Sequence, residues 1–188
     1  MPNTKRADAS AFAATTLPHL DDLFCTTVRL GYTQAAAEEL IQEVYLQAQE
    51  SSNRRDLAAN CRACLFSILF YETELHHRRL SKLTGKDDRL APELSHNPTV
   101  SKPLRDAEML AALDRLPLSE REAVLLADVQ DFSIGEMAFI LKTPEDAVRL
   151  HLSRGRKLLR EEFDQNSGTR IRNKGSGVKR DEDGRSNL

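Results

Sequence analysis

Apolar positions recur with the period of an α-helix in two stretches of the chain, 17–79 and 105–163. No run of alternating apolar and polar residues is long enough to predict a strand. The intervening segment, 80–104, is rich in polar residues and contains three prolines, a composition typical of a linker. The pattern therefore predicts an all-α fold of two small helical domains joined by a flexible linker.

The two ends differ from these periodic stretches. Residues 1–16 form an N-terminal extension, and residues 164–188 combine glycines and charges with almost no large apolar side chains. We expect the second of these segments to be a disordered tail. Because a polar, proline-containing linker buries little surface, we also expect the two domains to move independently in the free protein.

The first domain contains a helix over about 33–50 with two distinct faces. Its apolar side chains fall on one face: Ala37, Leu40, Ile41, Val44, Tyr45 and Ala48. The opposite face is acidic: Glu38, Glu39, Gln42 and Glu43. An acidic surface repels nucleic acid, so this face is predicted to contact a protein.

A second helix, over about 57–79, interleaves basic and aromatic residues. It begins among Arg54, Arg55 and Arg62, includes Phe66, Phe70 and Tyr71, and ends at His76-His77-Arg78-Arg79. Cations bind the phosphate backbone while aromatic rings stack on unpaired bases, so this helix is predicted to bind melted DNA. The histidine pair is interpreted as a DNA-facing or solvated helix end.

The second domain contains two capping-box spacings, Ser119 with Glu122 and Ser133 with Glu136. Each predicts a helix start, because the hydroxyl and the carboxylate each satisfy a free backbone N–H. After Ser133 a buried stripe is predicted at Ile134, Met137, Ala138 and Leu141. After the turn 142–144, where Thr143 is the expected cap, a second stripe comprises Val148, Leu152, Gly155 and Leu159.

Two short helices joined by this turn predict a helix-turn-helix. The second helix has five basic residues between positions 149 and 160 and no acidic one. A solvated basic face is the alternative interpretation, but a narrow cationic helix after a capped helix and a short turn is what entry into the DNA major groove requires.

Composition excludes several classes of protein. Hydrophobic residues make up 40% and charged residues 30% of the chain, and no apolar run is long enough to cross a membrane. With no secretory signal evident, a cytoplasmic location is expected. The three cysteines, including Cys61 and Cys64, could be imagined in a zinc or redox site, but structural thiols are favoured, so no metal or other cofactor is expected.

The motifs of the second domain resemble those of a known family, the extracytoplasmic-function (ECF) sigma factors of bacterial RNA polymerase, which contain only sigma regions 2 and 4. The region 4 resemblance lies in Leu113-Asp114-Arg115-Leu116-Pro117, Arg121-Glu122-Ala123-Val124-Leu125-Leu126, Ser133-Ile134-Gly135-Glu136-Met137-Ala138 and the arginine-rich helix that follows. The weaker region 2 resemblance lies in 37–46 and 60–68.

This resemblance implies a role for each surface. The polymerase-binding residues would contact the clamp helices of the largest subunit: Glu38, Glu39, Gln42 and Glu43. The −10 element would be opened and bound by Arg54, Arg55, Arg62, Phe70, Tyr71, Arg78 and Arg79. The −35 element would be read by Arg149, Leu150, His151, Ser153, Arg154, Arg156 and Lys157. An anti-sigma protein that clamps the two domains together is the implied regulator, and no catalytic residues are implied because the polymerase does the chemistry.

Two other functions remain open on the sequence. The chain could be a one-component DNA-binding regulator, with 17–79 serving for dimerisation or sensing. It could also be a sigma mimic that sequesters an anti-sigma protein without activating transcription.

Overall fold

The computed structural model describes residues 3–50, 54–84 and 104–173, and these residues form helices and short connections without a strand. The prediction of an all-α fold is confirmed. In chain order the helices are α1 (Asn3–Thr16), a 3₁₀ turn (Leu17–His19), α2 (Leu20–Arg29), α3 (Gln34–Gln49), α4 (Arg54–Thr84), α5 (Leu104–Asp114), α6 (Leu118–Val124), a π-helical turn (Leu125–Val129), α7 (Ile134–Leu141) and α8 (Glu145–Asn173).

Helices α1 to α4 form an N-terminal unit in which α3 packs along α4. The apolar face predicted for α3 is confirmed: all of its predicted members are buried except Tyr45, which is half-buried. Helix α4 is interrupted at Asn60, whose backbone is extended (φ −152°, ψ 88°). The Asn60 carboxamide oxygen accepts from the backbone N–H of Ala63 at 3.1 Å, so this residue caps the long second part of the helix.

Helices α5 to α8 form a C-terminal unit. Of its two predicted capping boxes, the one at Ser133 and Glu136 is present, with both reciprocal hydrogen bonds. The one at Ser119 and Glu122 is wrong, because α6 begins earlier, after Pro117. The extended ψ of Pro117 (149°) starts the helix there, so Ser119 lies inside the first turn. Thr143 does not cap α8 as expected, since its hydroxyl donates to the carbonyl of Leu141 instead.

The two units share one continuous apolar core. Helix α4 packs against α7, and the rings of Phe66 and Phe132 meet edge to face with their centroids 5.0 Å apart. The predicted domains are thus packed together by residues of the chain itself. The central part of the predicted linker, 85–103, lies outside the described residues.

The predicted terminal segments also contain helix. In the N-terminal extension, α1 packs on α3 through an edge-to-face contact of Phe12 with Tyr45. The Tyr45 hydroxyl also donates to the Thr16 carbonyl at 2.9 Å. Helix α8 continues through residue 173, ten residues beyond the predicted end of the second domain at 163. The rest of the predicted tail, 174–188, lies outside the described residues.

Candidate nucleic-acid and protein interfaces

Helices α7 and α8 form the predicted helix-turn-helix. The chain leaves α7 through Lys142, which adopts a left-handed conformation (φ 50°), and α8 starts two residues after Thr143. Val148 and Leu152 bury one face of α8. Gly155 lies on the same face, and a β-carbon there would come within 2.8 Å of the Glu120 carbonyl oxygen in α6. This close approach fixes which face of α8 remains outward.

The outward face of α8 carries most of the residues predicted to read the −35 element. Leu150 is 47% exposed, and Ser153 and Arg154 are exposed beside it. Arg149 is also exposed, but its guanidinium pairs with Glu145 at 2.7 Å in the preceding turn. Lys157 is paired more loosely with Glu161, at 3.8 Å. These side chains form a continuous strip that a DNA groove could contact.

Two other predicted DNA-binding residues are directed toward α6 and the π-helical turn. Nδ1 of His151 lies 3.3 Å from a carboxylate oxygen of the buried Glu120. Arg156 forms a bidentate pair with Asp128, through Nε at 3.1 Å and Nη2 at 2.5 Å. Both contacts join α8 to the helices that support it, so these residues orient the helix in this arrangement.

The acidic face of α3 is present as predicted, with Glu38, Glu39, Gln42 and Glu43 all exposed. Glu38 accepts a hydrogen bond from the Gln34 carboxamide at 3.0 Å on the same helix. Because the opposite face of α3 supplies the core, these carboxylates stand on a rigid element and face solvent.

The residues predicted to bind the −10 element are divided by the structure. Phe70 is only 5% exposed and belongs to the core, which rules out the predicted contact with DNA in this arrangement. Arg62 is also drawn inward, donating to the Gln130 backbone carbonyl at 2.7 Å. Tyr71 is 41% exposed, with the Lys142 ammonium 4.6 Å from its ring centroid. Arg78 and Arg79 are exposed, and the side chains of Arg54 and Arg55 lie outside the described ones.

The histidine pair is not the solvated helix end that we expected. His76 and His77 are half-buried against Tyr32, with ring centroids 5.5 and 6.0 Å from the tyrosine ring. Burial, followed by the nearby His76 and Arg121, lowers the pKa of His77. Tyr32 and both histidines belong to the N-terminal unit, and the effect of Arg121 from α6 on His77 shows that this ring lies near the other unit.

Sequence reasoning missed the polar residues of the contact between the two units, above all Arg121 and Gln130. The side chain of Arg121 is 6% exposed and donates to the Leu30 carbonyl in the other unit at 2.9 Å. Beside it, burial and the nearby Glu74 raise the pKa of Glu122 to about 8. The available signal was an arginine close before the apolar run 123–127, because a guanidinium buried with that run must have acceptors.

Cys25, Cys61 and Cys64 are thiols and form no disulfide in the structure. Cys64 is buried in the core, and the Cys61 thiol donates to the Thr15 carbonyl at 3.5 Å. Burial raises the pKa of Cys61, which disfavours the thiolate that metal binding would need. Within the described ranges, no cluster of three or more His, Cys, Asp or Glu side chains is arranged to hold a metal ion. No helix in those same ranges has the length and apolarity to span a membrane.

Comparison with known proteins agrees with this geometry. The family described as sigma-70, region 4, matches residues 106–159. The chain is 30% identical over 125 residues to the ECF RNA polymerase sigma factor EcfG of Rhodopseudomonas palustris (strain TIE-1), covering 65% of this chain and 68% of the relative. It is 29% identical over 147 residues to the RNA polymerase sigma factor CarQ of Myxococcus xanthus, covering 77% and 82%.

A solved structure is similar as well. The sigma factor RpoE of Bartonella quintana, crystallised in complex with the anti-sigma factor NepR, superposes with a TM-score of 0.68 at 25% identity. The match covers 79% of this chain and 93% of that one. The all-helical architecture, the helix-turn-helix and the extent of similarity to EcfG together show that this chain belongs to the ECF sigma factor family.

Proposed function

We propose that the chain binds RNA polymerase core and directs initiation at promoters by recognising −35 and −10 DNA elements. The observation that carries this proposal is the outward face of α8 in the helix-turn-helix, where Leu150, Ser153 and Arg154 are exposed on a buried support. A helix of this kind fits the major groove and presents side chains to base edges. We propose Arg154 as a base-reading residue, since among the described residues its side chain has no partner.

The acidic face of α3 is the proposed polymerase-docking surface. Its carboxylates are exposed on a helix whose other face is buried, so the surface is held in place before binding. Such preorganisation lowers the entropy lost on association. A basic complement on the polymerase clamp would select this face and reject nucleic acid.

The second half of α4 is the proposed −10 surface, contributed by Tyr71, Arg78 and Arg79, with Arg62 joining once it leaves its internal contacts. The tyrosine ring could stack on an unpaired base while the arginines bind phosphates. We omit Phe70 from this surface because it is a core residue.

We propose that an anti-sigma protein regulates the chain. Support comes from the similar RpoE structure, which was solved in complex with the anti-sigma factor NepR. The similarity spans both helical units of this chain, so a protein that contacts both units would find comparable surfaces here.

Open-complex formation tests the function. Purified polymerase core, incubated with fragmented DNA from the source genome, should melt DNA at specific sites only when the chain is added. Specific binding to duplex DNA by the chain alone, with no requirement for core, would indicate a one-component regulator instead. Binding to core with no melted site would indicate a mimic that lacks promoter function.

A further inference from the structure

The outward face of α8 carries one large apolar side chain among its basic residues. Leu150 is 47% exposed, whereas Val148 and Leu152, two residues away on either side, are buried in the core. A single exposed leucine is ordinary on a protein surface. This one differs by its position, because it lies on the face that the helix-turn-helix turns outward, where binding to phosphates alone would favour basic side chains.

The polar side chains that flank Leu150 are held by other parts of the chain. The Arg149 guanidinium pairs with Glu145 at 2.7 Å, one turn toward the start of the helix. Nδ1 of His151 lies 3.3 Å from a carboxylate oxygen of Glu120 in α6. Both neighbours therefore have partners within the protein, while the apolar group between them stays exposed.

Leu150 shares its face with Ser153 and Arg154, because residues three and four positions apart are neighbours on a helix. Both of these side chains are exposed. A helix rises about 1.5 Å per residue, so Leu150 and Arg154 are about 6 Å apart along the axis. Two base-pair steps of B-DNA span about 7 Å. The apolar group and the guanidinium are therefore spaced to contact bases about two positions apart.

The packing behind this face keeps Leu150 outward. Val148 and Leu152 are 0% and 7% exposed, so turning α8 to bury Leu150 would bring two core side chains into water. On the same buried face, a β-carbon at Gly155 would come within 2.8 Å of the Glu120 carbonyl oxygen, which leaves no room for a shift toward α6. Leu150 is thus in place before DNA binds, and association loses less entropy.

The DNA major groove offers a matching group on one base. Thymine carries its C5-methyl group there, whereas guanine presents two acceptors that suit a guanidinium. A leucine side chain has no donor or acceptor. Its contact with a methyl group removes apolar surface from water on both sides, whereas its contact with a polar base edge would leave that edge without a hydrogen-bonding partner.

We propose that Leu150 is a specificity-determining residue that reads the C5-methyl group of a thymine in the −35 element, about two base pairs from the base that Arg154 contacts. The inference rests on the proposed function, because it assigns a base to the recognition face of α8. The preferred −35 sequence then contains a T·A pair at which the methyl group itself carries the discrimination.

The test removes that methyl group from the DNA alone. Polymerase core loaded with the full chain selects duplexes from a pool with a randomised upstream segment, and the enriched −35 sequence becomes the probe. Each thymine in turn is replaced by deoxyuridine, which pairs with adenine in the same way and lacks only the methyl group. Binding should weaken about fourfold at one thymine, which corresponds to about 0.8 kcal/mol for one buried methyl-sized group.

Substitutions at the protein side complete the test. Leu150→Ala should bind the thymine and uracil probes equally, because the partner of the methyl group is gone, and Leu150→Met should keep the fourfold preference because its side chain is apolar and of similar volume. Met109→Ala is the matched control: Met109 is 44% exposed on α5 of the same unit, outside the helix-turn-helix, so this variant should also keep the preference. Circular dichroism should show the same helical content in all variants.

The outcomes separate this inference from the proposed function. Equal binding of the wild type to thymine and uracil probes at every position would overturn the role of Leu150 while leaving promoter recognition intact. A uracil penalty that Leu150→Ala retains would also overturn it, because another residue would then contact the methyl group. If core loaded with the chain enriched no sequence at all, the proposed function itself would fail, and this inference with it.

Discussion

The N-terminal and C-terminal units carry their functional surfaces in different ways. In the C-terminal unit, the proposed recognition face of α8 points outward, and the contacts behind it, such as His151 with Glu120, hold the helix in place. In the N-terminal unit the acidic face of α3 is equally open, but α4 is turned toward its neighbour. The proposed surface of one unit is exposed in this arrangement, whereas Arg62 of the other is held in the contact between the units.

This difference shows that the sequence of a single amphipathic helix does not decide whether an arginine on it contacts DNA. Arg154 and Arg62 look alike in sequence, since each lies on a helix that carries several other basic residues. Arg154 is exposed, whereas Arg62 has Gln130, Asp22 and Phe132 around it. The partners of Arg62 decide its role, and most of them are distant along the chain.

The largest expected effect concerns the open surface of the N-terminal unit. Reversing Glu39 and Glu43 to lysine should abolish association with polymerase core, because a basic clamp would then face a basic helix. Both residues are exposed, so the free energy of unfolding should change by no more than about 0.5 kcal/mol per site. Co-purification with core and thermal unfolding would measure the two quantities.

A matched double reversal provides the control for that experiment. Glu161 and Asp164 are exposed near the end of the described surface of α8, far from α3 in sequence. Lysines at these two positions change the net charge by the same amount and should leave core binding largely in place. Equal losses from both pairs would show that net charge, and not the α3 face, governs docking.

The next largest effect concerns the packing of α8 against α6 at Gly155. Gly155→Ala should destabilise the C-terminal unit by about 1–3 kcal/mol, the usual cost of overpacking. The added carbon would lie 2.7 Å from Cγ2 of Val124 and 2.8 Å from the Glu120 carbonyl oxygen. Chemical denaturation would measure the loss.

Gly135→Ala is the matched control, since its added carbon would meet its nearest neighbour, the Glu145 side chain, at an ordinary 3.7 Å. We expect that variant to be as stable as the wild type. If the two glycine variants unfolded at the same denaturant concentration, close packing of α8 on α6 would not be what orients the recognition face.

The recognition face itself is tested by Arg154→Ala. Affinity for a −35 sequence should fall more than affinity for random DNA, because a base-edge contact is worth about 1–3 kcal/mol of discrimination. Arg160→Ala, on the same helix, should weaken both DNAs alike. Quantitative footprinting would measure the ratio of the affinities for the −35 sequence and for random DNA. If Arg154→Ala weakened binding to both DNAs equally, Arg154 would be a phosphate-binding residue.

The smallest effect is a pH dependence of the contact between the units. Burial raises the pKa of Glu122 to about 8 in the structure, with Glu74 adding to the increase and Arg121 opposing it. Tyr32 and His77 lie in the same cluster, but the pKa of Tyr32 is raised and that of His77 is lowered. Neither of these two side chains therefore titrates between about pH 6.5 and 8 in the folded protein.

The direction of this pH dependence follows from the raised pKa of Glu122. Its folded pKa lies above the ordinary value, so its stabilising contribution is complete at low pH and is lost as the pH rises toward about 8. Thermal stability should therefore fall from pH 6.5 to 8, by less than full burial would give because the side chain is half-buried. Glu122→Gln should remove the slope, and a slope unchanged by that substitution would assign the dependence to another group.

Local features of the fold could be predicted from the sequence. The apolar face of α3 and the capping box at Ser133 depend on residues within a few positions of each other, and the structure contains both. The failed capping box at Ser119 shows the limit of this reasoning. Pro117 starts α6 before the serine, which leaves Glu122 half-buried beside Arg121.

The contact between the units could not be predicted in the same way. Arg62 and Gln130 are separated by 68 positions, and Arg121 and Leu30 by 91. No helical period connects residues so far apart, and the polar segment between the units suggested separation. These arginines find their acceptors only when tertiary packing brings the two units together.

The most direct test of the account is the distance between two nitroxide labels, carried by bioorthogonal amino acids at the exposed positions Leu46 and Leu150. It is measured for the free protein and again for the protein bound to polymerase core and promoter DNA. We predict one narrow distance in the free protein and a longer, narrow distance in the promoter complex, because α4 must leave the helix-turn-helix to reach melted DNA. An unchanged distance in a complex that has demonstrably opened its promoter would contradict the account.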